Sequence, residues 1–202
     1  MANPTVAGFR WYKSLSGHAR PVTHTIRVAD DYGTLLATGD LIRRTTDGTA
    51  LMAIGSEGSQ SNILGLMTGV KQYWDGSVLR KRAFLPASIS YDTLLERASI
   101  IEYISMEDNL FEVDADTAEG TSYDTRAEIE GLIGENADFV LGAANGNFPR
   151  AVLDISSHNT TSTLQFRIVG LKENELQDYS TTLRLKFIVK CNVSQLTNTT
   201  GV

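Results

Sequence analysis

Short apolar runs bounded by turn-forming residues recur along this chain, and they restrict its fold more than any other feature. Residues 39–44 (GDLIRR) and 49–54 (TALMAI) flank Asp47-Gly48, which supplies the positive φ angles of a tight hairpin turn. Residues 181–190 alternate apolar and polar side chains, as a strand with one buried face does. Similar runs occupy residues 22–29, 77–85, 98–106, 110–113, 151–156 and 163–171. The pattern predicts an all-β, mainly antiparallel sandwich or barrel-like fold.

Residues 62–74 (NILGLMTGVKQYW) predict a longer strand that contains two glycines. Gly65 and Gly69 lack side chains, and a glycine inside a strand marks a bulge or a close approach of another backbone. Asp75-Gly76 then predicts a turn into the next strand.

One short helix is expected at residues 126–133. Thr125 and Glu128 have the spacing of a capping box, and Gly134 follows as a helix-ending glycine. The apolar residues of this stretch share one face, so the helix is expected to pack against a sheet.

The length of 202 residues suits one β-rich domain, which we place at residues 22–190 between an N-terminal arm (1–21) and a polar tail (191–202). No run approaches the roughly 20 apolar residues of a membrane-spanning helix, and no apolar signal-peptide core is found. The single cysteine, Cys191, excludes an intramolecular disulfide. We therefore expect synthesis in a reducing cytoplasm and no membrane contact.

The charge of the chain is unevenly distributed. The net charge is −6, but residues 92–138 hold fourteen acids and only two bases, Arg97 and Arg126. We predict that this stretch is an acidic segment inserted into the β domain, which either faces solvent or meets a partner. The overall acidity argues against direct binding of nucleic acid.

The first twenty residues combine aromatic and cationic side chains, the residue types that protein interfaces concentrate. They predict an arm that either lies on a partner or folds back over its own domain. The candidate binding residues are Phe9, Arg10, Trp11, Tyr12, Lys13 and Arg20.

No motif in the chain predicts catalysis. The three histidines lie in loop-like sequence without metal-ligand spacing, and no phosphate-binding glycine loop occurs. Two acidic pairs, Glu107-Asp108 and Asp114 with Asp116, are the only support for a cation site or a carboxylate-dependent glycan hydrolase. We therefore expect a protein that is not an enzyme and that uses no cofactor and no metal.

Arg80-Lys81-Arg82, together with Arg43-Arg44, is the only dense basic cluster in the sequence. Its charges either discourage pairing of an exposed strand edge or contact an acidic neighbouring subunit. The sequence leaves both interpretations open.

The order of parts resembles that of the cement or decoration proteins that coat the heads of tailed phages. The matching stretches are MANPTVAGFRWYKSLSG, GDLIRR, DGTALMAIG, NILGLMTGV and TLQFRIVGL. The resemblance covers most of the chain in order and spacing, although each motif is short.

The resemblance implies a β-tulip or barrel fold and a structural role in the virion. The expected partners are the major capsid protein and other copies of this chain, as a homotrimer or else a homodimer. The expected location is the outer capsid surface, where the protein stabilises the expanded lattice. The alternative is another virion component, such as a tail-tube, head-completion or fibre-base protein.

Overall fold

The computed structural model describes residues 8–29, 32–53, 63–75, 77–87, 98–116, 125–141, 151–172, 185–192 and 194–196. These residues form fourteen strands and one short helix, which confirms the all-β prediction. The elements are β1 (Phe9–Ser14), β2 (Thr23–Arg27), β3 (Leu36–Ala37), β4 (Leu41–Arg44), β5 (Ala50–Met52), β6 (Gly65–Asp75), β7 (Val78–Arg82), β8 (Phe84–Leu85), β9 (Ile100–Ser105), β10 (Asn109–Asp114), α1 (Arg126–Gly131), β11 (Asn136–Leu141), β12 (Ala151–Asn159), β13 (Phe166–Leu171) and β14 (Lys186–Cys191).

The first sheet has the strand order β1-β10-β14-β13-β11-β12, and neighbouring strands are antiparallel. It curls on itself, because Ala115 beside β10 bridges Leu153 of β12, and the Asp116 N–H donates to the Leu153 carbonyl at 2.7 Å. The larger hydrophobic cluster fills this curl. Its five phenylalanines are each at most 1 % exposed: Phe9, Phe111, Phe139, Phe166 and Phe187.

The second sheet has the order β2-β9-β6-β4-β5, with β7 attached to β6, while β3 and β8 pair separately. This sheet also curls, because Val28 after β2 bridges Ala50 at the start of β5. A second hydrophobic cluster lies inside it and includes Ile42, Met67 and Ile101.

Where it meets the first sheet, the second sheet is buried on both of its faces. Adjacent strand residues point to opposite faces, so Leu41 belongs to the first cluster and Ile42 to the second. Leu66 and Met67 are divided in the same way. The two curled sheets therefore pack against each other, and the second sheet is apolar on both sides where they meet.

The hairpin predicted around Asp47-Gly48 is confirmed. Strands β4 and β5 pair with Ile42 opposite Met52, and Gly48 has the positive φ of +84° that the turn requires. Hydrogen bonds from the side chains of Thr45 and Thr49 hold the pKa of Asp47 below its ordinary value.

The predicted helix and its capping box are present. The Glu128 N–H donates to the Thr125 hydroxyl at 3.4 Å, and the Thr125 N–H donates to the Glu128 carboxylate at 3.1 Å. Ile129 and Leu132 are buried in the first cluster, and Gly134 has a φ of +101° just after the helix.

We expect Thr125→Ala to destabilise the fold by about 1 kcal/mol, because the backbone N–H of Glu128 loses its acceptor. Urea unfolding measures this loss, and Thr125→Ser is the control because it keeps a hydroxyl. Equal midpoints for the alanine and serine variants would contradict the role of the cap.

The prediction that residues 92–138 are an inserted segment is wrong. Within this stretch β9 pairs with β2 and β6, and β10 pairs with β1 and β14, so it contributes inner strands to both sheets. Acids in this stretch were misleading because an acid can lie on the wet side of a strand: Glu112 alternates with buried Phe111 and Val113. Residues 92–97 and 117–124 lie outside the described part of the chain.

Strand β11 was not predicted, and the start of the polar tail was misplaced. Asp138, in the middle of β11, conceals the strand in the sequence, yet it is 3 % exposed and accepts the Gln165 N–H at 3.1 Å. At the tail, Cys191 is the last residue of β14. The Gln195 side chain pairs with both backbone groups of Arg44, at 2.7 and 2.8 Å. Residues 193 and 197–202 are not among those described.

Candidate interaction surface

Strand β1 carries five of the six predicted binding residues. It pairs with β10 so that Phe9 lies opposite Val113, Arg10 opposite Glu112, and Trp11 opposite Phe111. Residues 9–14 are thus a strand of the first sheet, and the prediction of a separate arm is wrong for them. Residues 1–7 lie outside the described part of the chain.

Phe9 and Trp11 face the interior of their own domain, which corrects their prediction as partner-binding residues. The Phe9 ring is 1 % exposed and lies 4.8 Å from the Phe166 ring centroid. Trp11 packs against the first cluster, and its Nε1–H donates to Asn109 Oδ1 at 2.8 Å. Of the two interpretations of the aromatic cluster, folding back over the domain holds for these two side chains.

Arg10, Tyr12 and Lys13 point away from the core and are exposed. Strict alternation would turn Tyr12 or Lys13 inward, but the register with β10 shifts between Trp11 and Lys13. Tyr12 is the extra residue of this bulge, so two consecutive side chains point outward.

The outward residues of β1, β10, β13 and β14 form one surface, which we call the basic face. The core contains Phe111, Phe166 and Phe187, so their neighbours Glu112, Arg167 and Lys186 lie on the opposite side of the sheet. The cations of the basic face are Arg10, Lys13, Arg167, Lys172, Lys186 and Lys190. Its acids are Glu112 and Asp114. Among the residues that the structure describes, six cations thus outnumber two acids on this face of a protein whose net charge is −6.

The ion pairs on this face leave most of its positive charge available. Lys186 lies 3.4 Å from Glu112 and 3.9 Å from Asp114, and Lys172 lies 3.9 Å from Glu112. The Lys172 ammonium also lies 4.8 Å from the centre of the Tyr12 ring, a cation–π distance. On β13, Arg167 is opposite Lys190, so two exposed cations are direct cross-strand neighbours. Like charges in that position destabilise a sheet slightly, and an anionic partner relieves the repulsion.

Arg20 is not among the residues of the basic face. It lines a cleft of about 450 Å³, together with His18, His24, Tyr103 and Glu107 among others. Burial raises the pKa of the Tyr103 phenol above its ordinary value, and the charge of Arg44 partly opposes this rise, so the phenol is protonated at neutral pH.

The two acidic pairs proposed for a hydrolase lie at opposite ends of β10. Asp108 precedes this strand and Asp114 ends it, which separates their backbones by roughly 20 Å at about 3.3 Å per residue. Paired glycosidase carboxylates lie within about 10 Å of each other. Among the described residues no group of three or more His, Cys, Asp or Glu side chains is placed to hold a metal ion.

Lys172, Lys186, Lys190 and Arg167 were not predicted as binding residues. The alternation of apolar and polar residues predicted the solvent-facing side of the last strand, β14. The sequence did not show that β10 and β13 flank this strand. Cys191 is buried. The described part of the chain includes no helix long and apolar enough to cross a membrane.

Comparisons of the chain with protein-family models, with curated proteins and with solved structures found no match.

Proposed function

We propose that this protein is a non-enzymatic structural component of a phage virion that binds the outer surface of the icosahedral head and stabilises the expanded lattice. The observation that carries the proposal is the basic face, where Arg10, Tyr12 and Lys13 join cations from β13 and β14. The sequence resemblance supplies the class of partner. The basic face supplies the contact, and it fits an acidic surface of the major capsid protein.

The composition of the basic face supports a protein partner. Tyr12 is 41 % exposed and Val169 is 44 % exposed, so aromatic and aliphatic area lies among the charges. Such a mixture is typical of protein interfaces, in which apolar area supplies affinity and charges supply orientation and rate of association. A lattice presents many identical sites, so one modest contact per copy becomes tight attachment when the bound copies are themselves linked.

We expect charge reversal on the basic face to remove most binding to the particle. In Arg167→Glu/Lys190→Glu two neighbouring cations become acids, and occupancy of purified expanded heads should fall at least about tenfold in co-sedimentation. Binding of the unchanged protein should weaken as salt rises from about 0.05 to 0.5 M, because exposed charges are screened. The matched control is Arg27→Glu/Lys71→Glu, which makes the same charge change on exposed residues of the second sheet.

The outcomes separate the proposal from its alternatives. Unchanged head occupancy for Arg167→Glu/Lys190→Glu would contradict the basic face as the contact. Equal losses of occupancy in both double variants would show that binding depends only on the net charge of the protein. Copy number in the particle distinguishes a head-coating protein, present in hundreds of copies, from a tail or head-completion component. Point variants are required, because deleting residues 1–20 would also remove Phe9 from the core.

A further inference from the structure

Strands β6 and β7 form a hairpin in the second sheet, and we call its outer part the ribbon (residues 73–75 and 78–82). All five residues of β7 are exposed, and among the described strands β7 pairs only with β6. Val78 and Leu79, next to the turn, are 52 % and 49 % exposed. Arg80 forms an ion pair with Asp75 at 2.7 Å, and Lys81 and Arg82 continue the basic strand.

Protection of a free strand edge accounts for the charges of the ribbon but not for its apolar residues. Lysine and arginine on an edge strand discourage pairing with other chains. That function would be served equally well by polar residues at positions 78 and 79, whereas exposed apolar residues beside cations are typical of a contact surface.

The cleft that contains Arg20 has complementary properties. It is concave, with a volume of about 450 Å³, and Glu107 and Asp108 lie in its wall. Val22 and Leu196, also in its lining, are 56 % and 53 % exposed. The ribbon is basic and carries two exposed apolar side chains, whereas the cleft has two acids beside Arg20 and an apolar rim.

The tip of the ribbon, which carries Val78 and Leu79, cannot reach the cleft of its own molecule. The cleft lies beside Tyr103 and Ser105 of β9, which pair with Met67 and Gly65 at the start of β6. The tip of the ribbon lies at Asp75, the last residue of the same strand. Eleven residues of strand separate these ends by roughly 30 Å. Arg82 is nearer to the cleft, because it lies opposite Val70 in the middle of β6. A contact that includes Val78 and Leu79 must nevertheless join two molecules.

We propose that the ribbon of one copy of this chain docks into the cleft of the next. In this contact Val78 and Leu79 cover the apolar rim, and Lys81 and Arg82 face Glu107 and Asp108. The contact is head-to-tail, so copies close into a ring if the rotation between them allows closure and otherwise form an open chain. The inference concerns self-association and does not depend on the particle partner.

Sedimentation velocity over a range of protein concentrations tests the proposal. The unchanged protein should self-associate, and Lys81→Glu/Arg82→Glu should weaken the association at least about tenfold. Glu107→Lys/Asp108→Asn should weaken it similarly. Asparagine suits position 108, because Asp108 has a φ of 53°. An equimolar mixture of the two variants should associate again, because each reversed surface meets a complementary one. Urea unfolding confirms that both variants are folded.

Three results would overturn the inference. The first is a protein that remains monomeric up to about 0.1 mM, a concentration above the dissociation constant of an ordinary specific contact. The second is self-association that neither variant weakens. The third is an equimolar mixture of the two variants that fails to associate. The basic-face variant Arg167→Glu/Lys190→Glu should lose particle binding and keep self-association. Ribbon variants that lose particle binding while their association state is unchanged would assign the ribbon to the particle instead of to a second copy.

Discussion

Phe9→Ala should be among the most destabilising single substitutions in this protein, with an expected loss of about 3–5 kcal/mol. The Phe9 ring is almost fully buried and packs on Phe166, which in turn meets Phe139 edge-on at 6.2 Å. Alanine would leave a cavity in the middle of this aromatic group, because the neighbouring rings are held by strands β11 and β13 and relax only partly.

The position of Phe9 between the two sheets adds to this effect. Its side chain lies in the cluster that also includes Leu41 and Leu66 of the second sheet, and its N–H donates to the Gly39 carbonyl at 3.0 Å. A cavity at residue 9 therefore weakens both the attachment of β1 and the packing of the sheets. In a domain of this size the expected lowering of the melting temperature is roughly 6–20 °C.

Tyr12→Ala is the matched control, since it removes an aromatic side chain from the same strand. Tyr12 is exposed and contacts Lys172 through a cation–π interaction, so the expected loss is under about 1 kcal/mol. Thermal and urea unfolding measure both variants, and Phe9→Leu provides a milder change if the alanine variant does not fold. Similar losses for Phe9→Ala and Tyr12→Ala would refute the buried position of residue 9.

Gly65→Ala is the second substitution from which we expect a large effect. A Cβ atom at residue 65 would lie 2.5 Å from the Ile104 carbonyl oxygen and 2.4 Å from Cδ2 of the Tyr103 ring. The Tyr103 ring could rotate, but the Ile104 oxygen belongs to the backbone of β9, which pairs with β6 and β2. The strands must therefore move apart, and we expect a cost of about 1–3 kcal/mol or more.

Gly69→Ala separates this steric effect from the general effect of replacing a glycine in a strand. Gly69 lies in the same strand, and the nearest atom to an added Cβ there is a carboxylate oxygen of Glu102 at 4.0 Å, an ordinary contact. We expect Gly69→Ala to be neutral or slightly stabilising, because alanine restricts the unfolded chain more than glycine does. Equal melting temperatures for the two variants would contradict the close approach at residue 65.

Local interactions explain which elements were predicted well. The Asp47-Gly48 turn, the capping box of Thr125 and Glu128, and the close approach at Gly65 each depend on residues near in sequence or on a property of glycine itself. Strand β11 was missed because its alternation includes buried Asp138, whose carboxylate accepts the backbone N–H of Gln165, the residue before β13. From the sequence alone, a buried aspartate whose hydrogen-bond donor is distant along the chain looks the same as an aspartate on the surface.

The sequence by itself determined the all-β class, the single capped helix and the presence of an aromatic and cationic segment at residues 9–13. Only the tertiary structure decided what each residue of that segment does. Trp11 bonds to Asn109, 98 residues away, and pairing with β10 turns Phe9 into the core while Arg10 faces outward. The physical reason is that a one-residue change of register would exchange the two faces of the strand. The register is set by distant partners, so the division between core and basic face follows from the fold.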